Sequence, residues 1–402
     1  MPESVKIEPV KDARAFSRFV DLPYRLNRDD PNWVPLLKDD IKLLFNREKN
    51  PFFEHADVES FLAVRGDRVV GRITAIDNRA HNEFHADRVG FYGFFECEDD
   101  AEAAQALFDA AEAWLRTHGM DTMRGPMNFS TNDDCGCLIE GFDTPPTIMM
   151  PHNKPYHAKL YEAAGFVKAK DLVAYWMEDA RPPERLVRGV ELIKKRKNIV
   201  TRPMNMKHFD AEVDIIRDIY NSAWERNWGF IPMTAKELEH MAKQLKPVVD
   251  PEMVVFAEIA GKPVAFALGL PDFNIALKHA GGSLLPFGLF AILYWQRRIH
   301  HARVLTLGIK PGHRTSGIDA LLYYEMFVRG RARGYMRGEF SWILEDNIAM
   351  RRPLENMGAR VYKTYRIYDR PVRAALAPGK GAAVAAGQPA SSAKTPEPTF
   401  AT

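Results

Sequence analysis

Two segments that lie far apart in the chain share one alternation of apolar and polar residues. "FLAVRGDRVVGRITAI" (61–76) and "VFAEIAGKPVAFALGL" (255–270) each contain two alternating runs around a turn with glycine. This period-2 pattern around a short glycine turn predicts a β-hairpin in each segment. Stretches with apolar residues at helical spacing surround both hairpins. The pattern predicts an α+β protein in which helices flank a mixed central sheet.

Three other pairs of segments repeat in the same order as the hairpins. "DDPNWVPLLKDD" matches "ERNWGFIPMTAKE", "GMDTMRGPMNFS" matches "GYMRGEFSW", and "YEAAGFVKAKDLVAYWME" matches "LENMGARVYKTYRIYDR". Four matches in one order predict a duplicated domain. We therefore predict an N-terminal domain at 1–180, a basic linker helix at 181–198 and a C-terminal domain at 199–372. The Ala-, Pro-, Gly- and Ser-rich tail at 373–402 is predicted to be disordered.

The overall charge narrows the range of partners. With a formal net charge of +2, the chain as a whole has no electrostatic attraction for a nucleic acid, and none is expected. The basic run at 194–197 is typical of a solvated helix face, with a binding site as the alternative. Cys135 and Cys137 lie closer together than zinc ligands usually do, so no metal is expected. The N-terminus lacks the apolar core of a signal peptide, which indicates a cytoplasmic protein.

An apolar segment interrupts this otherwise ordinary chain. In "GGSLLPFGLFAILYWQRRIHH" (281–301) the run from Leu284 to Trp295 is shorter than the roughly 20 residues that cross a bilayer. It ends in Tyr and Trp followed by two arginines, as interfacial anchors do. We predict that Phe287, Phe290 and Trp295 contact an acyl chain or a lipid amine, and that the protein touches the membrane surface peripherally. The alternative is a structural segment that packs the two halves together.

A turn-rich loop in the C-terminal half points to an anion. The strand-like "ARVLTLGI" leads into "KPGHRTSGID" (310–319), and a helical pattern follows. A glycine-containing loop before a helix presents free backbone N–H groups to an anion, and Arg314 adds a fixed positive charge suited to phosphate. A simple turn is the alternative interpretation of such a loop.

The loop and a later segment from Asn347 to Gly358 together resemble the two signature regions of the GNAT superfamily of acyl-CoA N-acyltransferases. The resemblance implies acyl-CoA as donor substrate, with its pyrophosphate on the loop and its pantetheine along the later segment. The implied CoA-binding residues are Gly308, Ile309, Arg314, Thr315, Ser316, Gly317, Ile318, Asp319, Ala320, Asn347 and Met350. Two positions depart from the family pattern: Asp319 replaces a small residue, and Leu354 stands where a tyrosine general acid is frequent.

The N-terminal half shows the opposite pattern. Its loop position, "GFFECEDDAEAAQALF", is acidic and lacks the Arg and Gly of a phosphate cradle, so this half is expected to be degenerate. It keeps Tyr161 four residues before Gly165, and its stretch "RGPMNFSTNDDCGCLIEGFD" (124–143) crowds short polar side chains together. That stretch is interpreted either as a capped turn or as a polar wall that orients an amine. The predicted substrate contacts in this half are Asn128, Asn132, Asp133, Asp134 and Tyr161.

The layout and the "RGPMNFSTNDDCG" stretch resemble a bacterial group of tandem GNAT proteins that includes long-chain N-acyltransferases such as ceramide synthases. The resemblance implies direct transfer to an amine, with the backbone N–H near Ile309 polarising the thioester carbonyl. A general base must deprotonate the amine, and the candidates are Glu339, Asp272 and Glu225. The alternatives are an aminoacyl-tRNA-dependent transferase and a non-catalytic acyl-CoA-binding or membrane-associated protein.

Overall fold

A computed structural model describes residues 3–179, 181–224, 227–314 and 316–373. Glu225 and Thr315, both predicted site residues, lie outside the described residues, as does the predicted disordered tail from residue 374 onward.

The first half alternates helices with seven strands. Both strands of its predicted hairpin form, and they pair antiparallel from Ala56–Asn78 to Arg65–Arg68. Its elements are β1 (Val5–Pro9), α1 (Ala13–Leu26), α2 (Lys38–Leu44), β2 (Ala56–Arg65), β3 (Arg68–Asn78), α3 (Arg79–His85), β4 (Val89–Cys97), α4 (Ala101–Thr117), β5 (Thr122–Gly125), β6 (Cys137–Glu140), α5 (His157–Ala163) and β7 (Val167–Met177).

The second half follows a similar order, with one additional helix in the predicted linker and another in the apolar insertion. Its elements are α6 (Glu184–Lys197), β8 (Ile199–Pro203), α7 (Phe209–Trp224), α8 (Ala235–Leu245), β9 (Val254–Ile259), β10 (Lys262–Pro271), α9 (Asn274–Ala280), α10 (Gly288–Trp295), β11 (His301–Ile309), α11 (Ile318–Ala332), β12 (Arg337–Leu344), α12 (Ile348–Asn356) and β13 (Arg360–Pro371). The α+β prediction, a mixed sheet with flanking helices, is confirmed.

The strands of both halves form one continuous sheet. Its order is β1-β2-β3-β4-β5-β13-β7-β12-β11-β10-β9-β8, with β6 paired to β13 outside this path. The β4–β5 and β11–β12 pairs are parallel, and the other described pairs are antiparallel. Strands from both sides of the predicted boundaries at residues 180 and 198 belong to this one sheet. The division of the chain into two domains therefore remains a proposal.

The two halves exchange their last strands. β13, the last strand of the second half, lies between β5 and β7 of the first half, while β7 pairs with β12 of the second. Two ion pairs with both guanidinium–carboxylate bonds formed fix this register: Arg124 with Asp369 at 2.8 Å, and Arg366 with Asp171 at 2.7 and 3.0 Å. Each half therefore completes its sheet only with a strand from the other.

In the first half, the chain itself fills the space that opens beyond the β4–β5 ladder. That ladder covers only Val89 to Phe91 on β4. Beyond it, Met127 donates its amide to the Tyr92 carbonyl at 2.8 Å, and Asn128 Oδ1 accepts the Phe94 amide at 2.7 Å. A Cβ on Gly93 would lie 1.8 Å from the Met127 carbonyl oxygen, so only glycine permits this close approach. Little room is left between these two strands.

The exchanged strands predict that the two halves unfold together. Leu107 and Leu321 are fully buried, one in the core of each half. We expect Leu107→Ala and Leu321→Ala each to lower the free energy of unfolding by about 2–5 kcal/mol. In both variants calorimetry should show a single transition at a lower temperature. The exposed Val200→Ala is the control, and a transition that splits in two would contradict the coupling.

Candidate active site

A gap opens in the sheet where the parallel pair β11–β12 separates. Their pairing runs from His301–Arg337 to Val304–Phe340 and stops, and β12 is bulged between Phe340 and Ile343 where it runs along β7. On the other edge of β11, the Lys310 amide donates to the Val264 carbonyl of β10 at 2.9 Å. Alternation along an antiparallel ladder therefore directs the amide of Ile309 into the gap.

A cavity of about 440 Å³ extends from this gap and is walled by both halves of the chain. Residues 131–133 of the first half face β11, β12, α7, α8 and the N-termini of α11 and α12. The polar side chains that line it are Thr131, Asn132, Asp133, Tyr220, Asn227, Arg303, Thr306, Arg314, Asp319, Tyr323, Ser341 and Asn347. The separated strands of the second half thus form an open site, in contrast to the filled strands of the first.

The predicted phosphate loop ends at an uncapped helix N-terminus. Gly317 has a φ of +75° and starts α11 without a side-chain cap, so the amides at 318–320 are the free donors that a helix N-terminus offers to an anion. A Cβ at Gly317 would also lie 2.7 Å from Ile193 Cδ1 of α6. Arg314 lines the cavity and donates to the Ala223 carbonyl at 2.7 Å. Asp319 is the single carboxylate at this end of the cavity among the described residues, so the donor set fits a pyrophosphate if that side chain turns away.

Two other predicted CoA residues have structural roles as well. Gly308 lies under the indole of Trp224, where a Cβ would come within 2.5 Å of the ring. Asn347 caps α12 by accepting the Met350 amide at 3.2 Å. Asn347 and Met350 both line the cavity.

A tyrosine that the sequence analysis did not single out reaches the cavity from α11. Leu354, at the position where the family often has tyrosine, is fully buried in the core. Tyr323 of α11 lines the cavity instead, and its hydroxyl lies 3.7 Å from Met350 Sδ, a weak acceptor. Burial raises the pKa of Tyr323 above its usual value, so its hydroxyl stays protonated at neutral pH. The sequence offers no signal that separates Tyr323 from its neighbour Tyr324.

A buried arginine holds the inner end of the gap together. Arg303 of β11 donates through Nη1 to the carbonyls of Ile148 and Met149 at 2.7 and 2.9 Å, and through Nε to Ser341 Oγ at 2.8 Å. Burial lowers its pKa, with the charge of Glu339 opposing that shift. Residues 148–149 of the first half, which we call the crossing chain, are therefore tied by Arg303 to both separating strands, β11 and β12.

The two described candidate bases are already committed to other bonds. Both oxygens of the fully buried Glu339 accept hydroxyl protons, one from Ser341 and one from Tyr362. Asp272 accepts the Ile148 amide at 2.8 Å through Oδ1 and bonds His301 Nε2 at 2.7 Å through Oδ2. Neither carboxylate lines the cavity. Glu339 is connected to the cavity through Ser341, whose hydroxyl donates to it and whose side chain lines the cavity.

Asp133 is the carboxylate that combines cavity contact with an altered pKa. Burial raises the pKa of its carboxyl to about 7; the charges of Asp134 and Glu237 add to the shift, and a 2.8 Å bond from the Ser130 hydroxyl opposes it. Beside it, Asn132 Oδ1 accepts the Tyr220 hydroxyl at 2.7 Å. The polar stretch is thus both a bonded turn and part of the cavity wall. Its role toward an amine remains a prediction.

Several predicted substrate residues do not reach the cavity. Asn128 instead holds the Phe94 amide, and Asp134 lies behind the wall, where burial raises its pKa. Tyr161 is 2% exposed and lies among the aromatic side chains of the first-half core. In that half the space beyond the β4–β5 ladder is filled, so no open site is available to this side chain. In the insertion, Phe287 and Phe290 point to solvent, and Trp295 stacks on His279 with ring centroids 3.8 Å apart.

The fold is that of a GNAT-type protein with two tandem halves. A tandem GNAT protein from the clavulanic acid biosynthesis pathway superposes with a TM-score of 0.56 over 92% of this chain and all of its own, at 12% identity. A GCN5-related N-acetyltransferase from Sphaerobacter thermophilus gives a TM-score of 0.50 over 94% of this chain and 98% of its own, at 14% identity. At these identities the likeness establishes the fold.

Sequence comparison identifies the family. The chain is 40% identical over 380 residues to the bacterial ceramide synthase of Caulobacter vibrioides, covering 91% of this chain and 97% of that protein. It is 39% identical over 363 residues to Protein YghO of Escherichia coli K12, covering 88% and 92%. The chain therefore belongs to the family of tandem GNAT proteins that contains this ceramide synthase. No family model matches it.

The bonds of Arg303 predict that its shape matters as much as its charge. Arg303→Lys keeps the positive charge, but a single ammonium cannot serve two carbonyls and the Ser341 hydroxyl at once. We expect a loss of about 3 kcal/mol in the free energy of unfolding, measured by urea denaturation. Arg337→Lys on the exposed end of β12 is the matched control and should cost less than about 1 kcal/mol. Equal losses in the two variants would refute the role given to Arg303.

Proposed function

We propose that the protein transfers a long acyl chain from acyl-CoA to the amine of an amphipathic lipid. The observation that carries this proposal is a cavity in which an uncapped helix N-terminus, an open strand edge and a polar wall meet. The Caulobacter relative, by its name a ceramide synthase, supports a lipid amine as acceptor.

The donor substrate fits the outer part of the cavity. Its pyrophosphate accepts hydrogen bonds from the amides at 318–320 and from Arg314, which exchanges its carbonyl partner for a phosphate. The pantetheine amides pair with the open edge of β11, as an added strand would. Asp319 turns away from the phosphates, since its carboxylate would repel them.

The acyl chain fits the apolar wall between α7, α8 and β10, a different place from the insertion proposed on sequence grounds. Among the apolar side chains of this wall are Ile216, Phe230, Met233, Leu238, Met241, Leu245, Phe266 and Leu268. Each methylene buried there contributes about 0.8 kcal/mol, so the wall favours long chains over acetyl.

The polar residues supply the proton transfers. As the amine nitrogen bonds to the carbonyl carbon and the carbon–sulfur bond breaks, Asp133 takes a proton from the nitrogen and Tyr323 gives one to the sulfur. The Ile309 amide, directed into the gap, stabilises the negative charge that develops on the carbonyl oxygen. Ser341, fixed by Arg303 and Glu339, orients the amine.

Acyl-CoA titration tests the donor site. We expect affinity to rise from acetyl- to palmitoyl-CoA, and Arg314→Ala to weaken binding of every chain length by about tenfold or more, because a charge-assisted bond is lost. Met241→Trp should weaken only the long chains by narrowing the apolar wall. Arg188→Ala, on the exposed face of α6, is the control. Calorimetric titration measures all four proteins.

Each other result of the titration has a definite meaning. Absence of binding at every chain length would refute the acyl-CoA site and favour a tRNA-dependent transferase. Binding without turnover across a panel of lipid amines would identify a non-catalytic acyl-CoA-binding protein.

The pH dependence of turnover tests Asp133 as the base. With a pKa of about 7, its carboxylate is lost as the pH falls, so wild-type turnover should decline below that pH. Asp133→Asn should remove this decline and lower turnover by about 10²–10⁴-fold. A decline that persists in the variant belongs to the amine itself. Glu339→Gln should lower turnover while acyl-CoA binding and the pH profile are retained; loss of the profile in this variant would make Glu339 the base.

A further inference from the structure

Helix α10 and the loop before it expose an unusual amount of apolar surface. Leu285, Phe287 and Phe290 are 78%, 76% and 68% exposed. Leu284, Leu289, Leu293 and Tyr294 are exposed as well. The helix rests on α9 through Ile292, which packs near Ala276 and Leu37, so only one side of it is covered. Contiguous apolar patches of this kind mark interaction sites.

This surface is separate from the cavity. None of these side chains lines the cavity wall. α10 packs on α9, and no residue of α9 lines the cavity either. The exposed face therefore has no part in the acyl-transfer site and requires an occupant of its own.

The charges of the segment that carries α10 indicate the chemistry of that occupant. From residue 273 to residue 318 the chain contains no Asp or Glu. Arg297 and Arg298 are exposed just after the helix. Among the described residues, no carboxylate oxygen lies within 4.0 Å of a guanidinium nitrogen of either arginine. The Arg298 guanidinium lies 4.0 Å from the centre of the Tyr294 ring, which holds the cation beside the apolar face. An anionic surface would complement this arrangement.

We propose that the segment from Leu284 to Arg298 docks on an anionic lipid surface. The apolar side chains enter the interface between headgroups and acyl chains, Tyr294 and Trp295 lie at its boundary, and the two arginines contact lipid phosphates. A second copy of the chain fits less well, because a two-fold contact through this face would bring the arginines of one copy against those of the other. The inference does not depend on the proposed acyltransferase function.

Vesicle flotation with the full-length protein tests the docking surface. We expect binding to vesicles of equimolar phosphatidylcholine and phosphatidylglycerol, weaker binding to phosphatidylcholine alone, and release at high salt. Phe287→Ser combined with Phe290→Ser should abolish binding. Arg297→Gln combined with Arg298→Gln should weaken binding to the anionic vesicles by about fivefold for each charge removed.

Two matched double variants control for composition. Val167→Ser with Val200→Ser removes exposed apolar side chains elsewhere, and Arg188→Gln with Lys243→Gln removes two exposed charges elsewhere. Both should bind vesicles like the wild type. Equal loss in the control and α10 variants, or no loss in either, would overturn the proposal. A dimer in sedimentation velocity that only the phenylalanine substitutions dissociate would overturn it in favour of a second copy.

Discussion

The geometry of the site depends on one buried guanidinium. Arg303 is taken out of water on β11 at the point where the sheet divides, and such a group is tolerated only when its N–H groups find acceptors. Its acceptors are two carbonyls of the crossing chain at 148–149 and the hydroxyl and carbonyl of Ser341. Because these acceptors belong to two segments and Arg303 itself to a third, satisfying one side chain fixes all three segments relative to one another. Separation of the strands begins just beyond it.

The exchanged strands explain why, in the described part of this duplicated fold, the site opens in the second half and not in the first. In the first half, Met127 and Phe129 fill the space beside β4, and the loop that would hold phosphate is acidic. That half supplies instead the polar wall at 131–133 and the crossing chain at 148–149, both of which reach across to the second half. The pairing of β13 with β5 holds this arrangement in register, so neither half forms the cavity alone.

Patterns confined to short segments were predictable from the sequence, and pairings between distant segments were not. The hairpins, the strand–loop–helix at 302–332 and the fold class follow from local periodicity and glycine placement. The strand exchange rests on register between residues more than two hundred positions apart, such as Arg124 and Asp369, and no local pattern encodes it. Likewise the sequence makes Asp272 a candidate base, whereas its contacts with Ile148 and His301, distant in sequence, occupy both of its oxygens.

The choice between two carboxylates turns on access as well as burial. A base that acts near neutral pH must lose enough hydration to raise its pKa and still reach the substrate. Glu339 is the more deeply buried, but two hydroxyl donors occupy its oxygens and Ser341 stands between it and the cavity. The carboxyl of Asp133 is buried enough to raise its pKa and still contacts the cavity directly, and its Ser130 bond engages one oxygen. The other oxygen is therefore the better placed to accept a proton from an amine.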